Sequence, residues 1–192
     1  MRTAEITRKT LETDIRCALS LDGGAVEIST GIGFFDHMLT SFAVHARVGL
    51  TLHVDGDLAV DCHHTVEDAG ICLGKAFGKA IGDKSGIARY GSFYVPMDEA
   101  LGFCAVDISG RPYLVFEADF AAEKIGEYDS VMTEEFFRAF AMNAGVTLHL
   151  RVLYGRDDHH KTEALYKAFA HALRIATAPT GAGVMSTKGV LN

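Results

Sequence analysis

Thr51-Leu52-His53-Val54, followed ten residues after its histidine by His63-His64-Thr65-Val66-Glu67, is the stretch from which the fold is read, because the chain repeats it. Ninety-six residues later stand Thr147-Leu148-His149-Leu150 and, again ten residues on, His159-His160-Lys161-Thr162-Glu163. A helical stretch precedes each copy, opened by Phe34-Phe35-Asp36-His37-Met38-Leu39 in one and Thr133-Glu134-Glu135-Phe136-Phe137 in the other. An apolar helical pattern follows each, over 69–81 and 164–175, and both contain Lys-Ala-Phe. A shared spacing over several short matches marks an internal duplication, with two copies and so no solenoid.

Outward from the repeat, strands are expected over 13–21 and 25–29 around the turn residues Asp22-Gly23-Gly24, read as a hairpin. Strands over 101–108 and 113–118 flank a second turn, Ser109-Gly110-Arg111-Pro112. The fold class expected is α+β, as two pseudo-symmetric halves, each a sheet with helices on one face. The halves divide near residue 92, roughly 1–92 and 93–192, and together form one domain.

Composition narrows the function. The 192 residues are 48% hydrophobic, enough for a core. A net charge of −7 argues against a general nucleic-acid binder. No run of about 18 apolar residues offers a membrane span, and the polar start Met1-Arg2-Thr3-Ala4-Glu5 lacks a signal core, so a cytoplasmic protein is expected. Cys17, Cys62, Cys72 and Cys104 stand singly and read as free thiols.

Histidine carries the chemistry. Residues i and i+4 share a helix face, so His63 with Glu67, and His159 with Glu163, can each hold an ion. His64 and His160 are turned by about 100° and point elsewhere. If the motifs face each other, each second histidine serves the other ion. His37 and Glu135 are the further candidate ligands. The loops after their helices differ by two residues, which makes Glu135 the counterpart of His37. One His-His pair is ordinarily solvated or capping; two at matched spacing, each with its Glu, favour metal. A mixed imidazole and carboxylate shell suits Mn²⁺, Fe²⁺ or Co²⁺ better than closed tetrahedral zinc. His45, His53, His149 and His171 read as packing or surface histidines, His149 being next in line if Glu135 does not coordinate.

Gly31-Ile32-Gly33-Phe34-Phe35-Asp36-His37-Met38-Leu39, His63-His64-Thr65-Val66-Glu67-Asp68, Pro96-Met97-Asp98-Glu99, Asp107-Ile108-Ser109-Gly110-Arg111-Pro112, Asp158-His159-His160 and Ser186-Thr187-Lys188-Gly189 resemble the imidazoleglycerol-phosphate dehydratase family of histidine biosynthesis, in its stand-alone form. The resemblance covers almost the whole chain. It implies two four-stranded sheets with helices on one face (ribosomal protein S5 domain 2-like) and a homo-oligomeric shell of 24 subunits with interfacial active sites. It implies two Mn²⁺ per site, other divalent transition metals being possible. One ion takes His37, His64, His159 and Glu163; the other takes His63, Glu67 and His160. The family's fourth ligand to the second ion is a His before a Phe-Phe pair, where this chain has Glu135. Ser41 is another departure, standing where the family usually has Gln near the substrate phosphate.

The reaction implied is dehydration of imidazole glycerol phosphate to imidazole acetol phosphate. The proton to be removed lies on a carbon with no carbonyl beside it, and a di-metal-bound imidazolate is the implied remedy. Glu12 matches a substrate-contacting Glu of the family and is the first candidate base, with the ligand carboxylates Glu163 and Glu67 behind it. Arg89, Arg111, Ser186 and Lys188 match the phosphate pocket, and Lys167, one turn beyond Glu163, faces substrate. Two rivals are a non-catalytic metal-binding protein, which leaves the arginines unexplained, and a di-metal phosphate-ester hydrolase, which ordinarily needs a more aspartate-rich shell.

Overall fold

The computed structural model describes residues 1–181, 183–187 and 189. The first half runs β1 (Thr3–Lys9), β2 (Thr13–Ser20), β3 (Val26–Ser29), α1 (Gly33–Ala46), β4 (Gly49–Gly56) and α2 (His63–Ile81). The second runs β5 (Tyr90–Met97), β6 (Ala100–Asp107), β7 (Tyr113–Glu117), the short strands β8 (Lys124–Ile125) and β9 (Tyr128–Asp129), α3 (Met132–Ala144), β10 (Thr147–Tyr154) and α4 (Asp158–Ala176). The sheets have one topology, β1-β2-β4-β3 and β5-β6-β10-β7. In each, the strand before the first helix pairs parallel with the strand after it, and the other pairs are antiparallel. The α+β class and the two four-stranded sheets match the sequence expectation.

The two loops read as turns differ from expectation. Asp22-Gly23-Gly24 closes no hairpin, because β4 lies between β2 and β3. The loop crosses the start of β4 instead. A Cβ added to Gly49 would stand 2.8 Å from the Gly24 Cα, so neither residue has room for a side chain. The 109–112 segment likewise crosses β10, where the Gly110 N–H donates to the Gly145 carbonyl at 2.9 Å. A parallel pair needs a crossover, and α1 and α3 supply it. Within the two four-stranded sheets the hairpins are β1–β2 and β5–β6, on edge strands whose sequence signals are weak: β5 contains Gly91 and Pro96, tolerated at an edge.

The helices exchange partners between halves. α1 packs on α4, and α2 packs on α3, while α2 covers the first sheet and α4 the second. Buried aromatic rings fill the space: Phe42 stacks on Phe169 at 5.2 Å, and Phe140 meets Phe77 at 5.6 Å and Phe169 at 5.0 Å. The shared Lys-Ala-Phe triplets are 92 residues apart, not 96, so they sit one helical turn out of register. By the motif spacing of 96 the counterpart of Lys75 is His171.

Candidate metal centre

His159 and Glu163 stand one turn apart at the start of α4. The Asp157 carboxylate caps that helix, accepting from the His159 and His160 backbone N–H groups, which fixes the first turn. Glu163 Oε2 lies 3.3 Å from His159 Nε2 and 3.7 Å from His37 Nε2, the latter reaching across from α1. Their donor atoms all lie within 4.8 Å of one another. Burial opposes the Glu163 charge. The Lys167 ammonium, 2.8 Å from Oε1, together with His37 and His159, nevertheless holds its carboxyl below the usual range. A carboxylate 5% exposed and ionised beside two imidazole nitrogens is a donor set that fits a divalent transition ion.

The pseudo-symmetric place is more open. His63 Nε2 lies 3.6 Å from Glu67 Oε2 at the start of α2. Buried Asp68, next in sequence, accepts from the Thr13 hydroxyl at 2.6 Å and pairs with Arg8 at 2.8 Å, which sets the rotation of α2 on its sheet. Glu135 stands on the first turn of α3, the helix that packs on α2, and pairs with Arg138 at 3.3 Å. Among the described residues only His37, His159 and Glu163 converge as a three-donor group, so Glu135 closes no such group with His63 and Glu67 here.

His64 and His160 point elsewhere, as helix geometry requires. The expected crossing of each to the opposite ion is not met within the chain, because α2 and α4 pack chiefly on α3 and α1 and not on each other. Each is instead anchored at Nδ1. His64 donates to Asp57, 3.0 Å away, and His160 to Glu99, 2.8 Å away. These carboxylates raise both imidazole pKa values. The Nε2 atoms face outward, toward Glu12 at 3.6 Å and Asp98 at 3.7 Å. A histidine held at Nδ1 by a carboxylate, with Nε2 presented, is oriented as metal-ligating histidines are. Sequence reasoning missed Asp57 and Glu99 as anchors. Their signal was an acid at the strand end or hairpin tip beside each motif.

Arg89 and Arg111, expected from the resemblance to hold phosphate, lie at the other end of the molecule. Arg89, 8% exposed, is locked by Asp107 at 2.7 and 3.0 Å and by the Met185 carbonyl at 2.6 Å. Exposed Arg111 approaches Asp107 at 3.6 Å. Ser186 follows Met185, and Lys188 lies outside the described residues. The Arg89 N–H donates to the Ala176 carbonyl, at the C-terminal end of α4. His159 is at the opposite end, about 25 Å away along the helix axis. Lys167 stays with Glu163, and its ammonium also approaches the Met97 sulfur at 3.6 Å. All four cysteines are buried free thiols, and Cys62 hydrogen-bonds Asp129, not a histidine cluster. No helix among the described residues is long and apolar enough to cross a membrane.

The comparisons with known proteins agree on one family. The family model for imidazoleglycerol-phosphate dehydratase matches residues 30–173. Curated relatives of that name from Listeria welshimeri, Streptococcus gordonii and Clostridium kluyveri are 58%, 57% and 53% identical, each over 100% of both chains. A crystal structure of imidazoleglycerol-phosphate dehydratase from Staphylococcus aureus subsp. aureus N315 is 42% identical, with a TM-score of 0.85 over 93% of this chain and 99% of that one. IGPD from Pyrococcus furiosus in complex with (S)-C348 is 36% identical, with a TM-score of 0.86 over 97% and 100%.

Proposed function

We propose that this chain, which belongs to the imidazoleglycerol-phosphate dehydratase family, removes water from imidazole glycerol phosphate in histidine biosynthesis on two divalent ions, Mn²⁺ by preference. The observation that carries the metal reading is the approach of His37, His159 and Glu163 across the two halves. These three would hold one ion, and His63, Glu67 and Glu135 the other. The anchored His64 and His160 of neighbouring copies would complete the shells. Bound there, the ions supply positive charge that favours loss of the substrate's ring proton.

The chain's own groups do the rest. Glu12, exposed on the β1–β2 hairpin beside His64, would take the carbon proton, with Glu163 and Glu67 as the ligand carboxylates behind it. Arg89 and Arg111 supply forked donors for the phosphate, joined by Ser186 and Lys188, and Lys167 neutralises charge beside Glu163. A small substrate cannot bridge about 25 Å between Arg89 and His159 of one chain. The site is therefore shared between copies of a cytoplasmic homo-oligomer, the 24-subunit shell being the form implied by the family.

The test is turnover of imidazole glycerol phosphate by protein stripped of metal and then reloaded with Mn²⁺. Activity that returns with about two Mn²⁺ per chain supports the reading; unchanged activity after stripping sinks the metal role.

A further inference from the structure

The duplication is broken at one place. Three residues, 30–32, link β3 to α1, whereas fourteen, 118–131, link β7 to α3 and carry β8 and β9. The extra segment does not hang off the surface. It touches the N-terminal end of all four helices.

At α4, the Asp158 carboxylate accepts from the Ala121 and Ala122 N–H groups at 2.8 and 2.6 Å, and Lys161 donates to the Asp119 carbonyl at 3.0 Å. At α2, the Cys62 thiol donates to Asp129 at 3.2 Å, and the Asp129 N–H returns to the sulfur at 3.4 Å. At α1, the fully buried Tyr128 ring stacks on Phe35 at 5.7 Å and meets Phe34 at 5.4 Å. Phe34 in turn stands edge-on to His159 at 5.0 Å. At α3, the Tyr128 hydroxyl donates to Thr133 at 3.3 Å. The segment is closed on itself by Ser130, whose hydroxyl donates to the Ala122 carbonyl at 2.5 Å.

Those helix ends are the ones that matter. His37 stands on α1, His63 and Glu67 on α2, Glu135 on α3, and His159 and Glu163 on α4, each within the first two turns. Cys62 immediately precedes His63, and Asp158 immediately precedes His159. An element that fixes four helix starts to one another fixes both half-sites together.

We propose that the 118–131 segment is a clasp that positions the two metal half-sites jointly, so that loosening it at one half-site weakens metal binding at the other. Its residues are positioning residues, since none reaches the ligand atoms. The proposal rests on the metal reading above. Oriented ligands bind more tightly because less freedom is lost on coordination, and removal of supporting contacts costs about 10–100-fold in affinity.

The test uses the whole chain and Co²⁺ as a spectroscopic probe. Glu67→Ala disables the α2 half-site, so remaining Co²⁺ absorbance reports His37, His159 and Glu163. Adding Asp129→Ala removes the contact to Cys62 before α2, together with the Lys124 pair inside the segment, and touches none of those three ligands. The expected result is about tenfold weaker Co²⁺ binding at this distant half-site. Ser130→Ala, which opens the clasp without touching a ligand helix, should act in the same direction. Unchanged Co²⁺ affinity in both variants overturns the clasp, even if the melting temperature of the metal-free protein falls, since that fall alone is a structural effect. Absence of Co²⁺ uptake by the wild-type chain is a different failure: it removes the metal reading, and the clasp with it.

Discussion

The Nε2 atom of His37 stands 3.7 Å from Oε2 of Glu163, although one belongs to each half of the duplication. The contact exists because α1 packs across the halves on α4. Glu163 is therefore the point at which both halves meet the proposed ion. Glu163→Ala should lower turnover at least about 100-fold and remove about one of two bound Mn²⁺, as read by elemental analysis beside the assay. It also leaves Lys167 without its carboxylate. Retention of both ions would remove Glu163 from the ligand set.

Metal removal should be visible in stability as well as activity. A ligand present at about 100 times its dissociation constant stabilises the folded state by about 2.7 kcal/mol. For a chain of this size that is about 5–10 °C in melting temperature. Calorimetry with a chelator and then with excess Mn²⁺ measures it, and coincident traces contradict the metal centre.

Asp57 and Glu99 should behave as a pair. Each anchors the second histidine of its motif at Nδ1, and neither is a proposed ligand. Asp57→Ala and Glu99→Ala are each expected to weaken Mn²⁺ binding by about 10–100-fold through ring misorientation. Melting temperatures of the metal-free variants test whether the loss is local. An effect from one and none from the other would break the pseudo-symmetric assignment.

The α2–α3 contact depends on glycine. A Cβ on Gly74 would stand 2.6 Å from the Phe140 carbonyl oxygen and 2.9 Å from the Asn143 Cβ, with backbone that cannot swing aside. Gly74→Ala should therefore destabilise the chain by about 1–3 kcal/mol despite alanine's better helix propensity. Urea unfolding decides the sign.

Acid should loosen the α1–α4 seam. His45 Nδ1 and His171 Nε2 share a hydrogen bond of 3.2 Å, and Phe93 stacks on His171 at 4.4 Å. Burial lowers both imidazole pKa values below 6.5. Lys167 adds to this at His45, opposed by Glu163, and His45, Arg174 and Arg47 add to it at His171. The unfolded chain thus binds these protons more readily. Stability is full above pH 6.5 and falls as pH drops from 6.5 through the folded values. In metal-free protein, His171→Gln should lose less melting temperature between pH 7.5 and 5.5 than the parent; equal losses refute the assignment.

Much of this was legible in the chain. The repeated His-His-x-x-Glu motif lies on helices in both copies, and i,i+4 spacing alone brought His63 to Glu67 and His159 to Glu163. Turn residues marked where the chain bends at 22–24 and 109–112, but not what it bends around. A glycine pair reports local backbone freedom, whereas the choice between hairpin and crossover is made by a distant strand, β4 or β10. The short strands around Tyr128 carry no periodic signal at all.

By itself the sequence determined the two-fold repeat, the helical faces of the ligand motifs and the α+β class, because each follows from spacing along a single element. Only the tertiary structure decided that α1 serves α4 and α2 serves α3, that His64 and His160 are turned away onto Asp57 and Glu99, and that Arg89 lies a helix length from His159. The physical reason is that these depend on which apolar faces bury one another. That is a sum over many weak contacts between remote segments, and no short stretch encodes it.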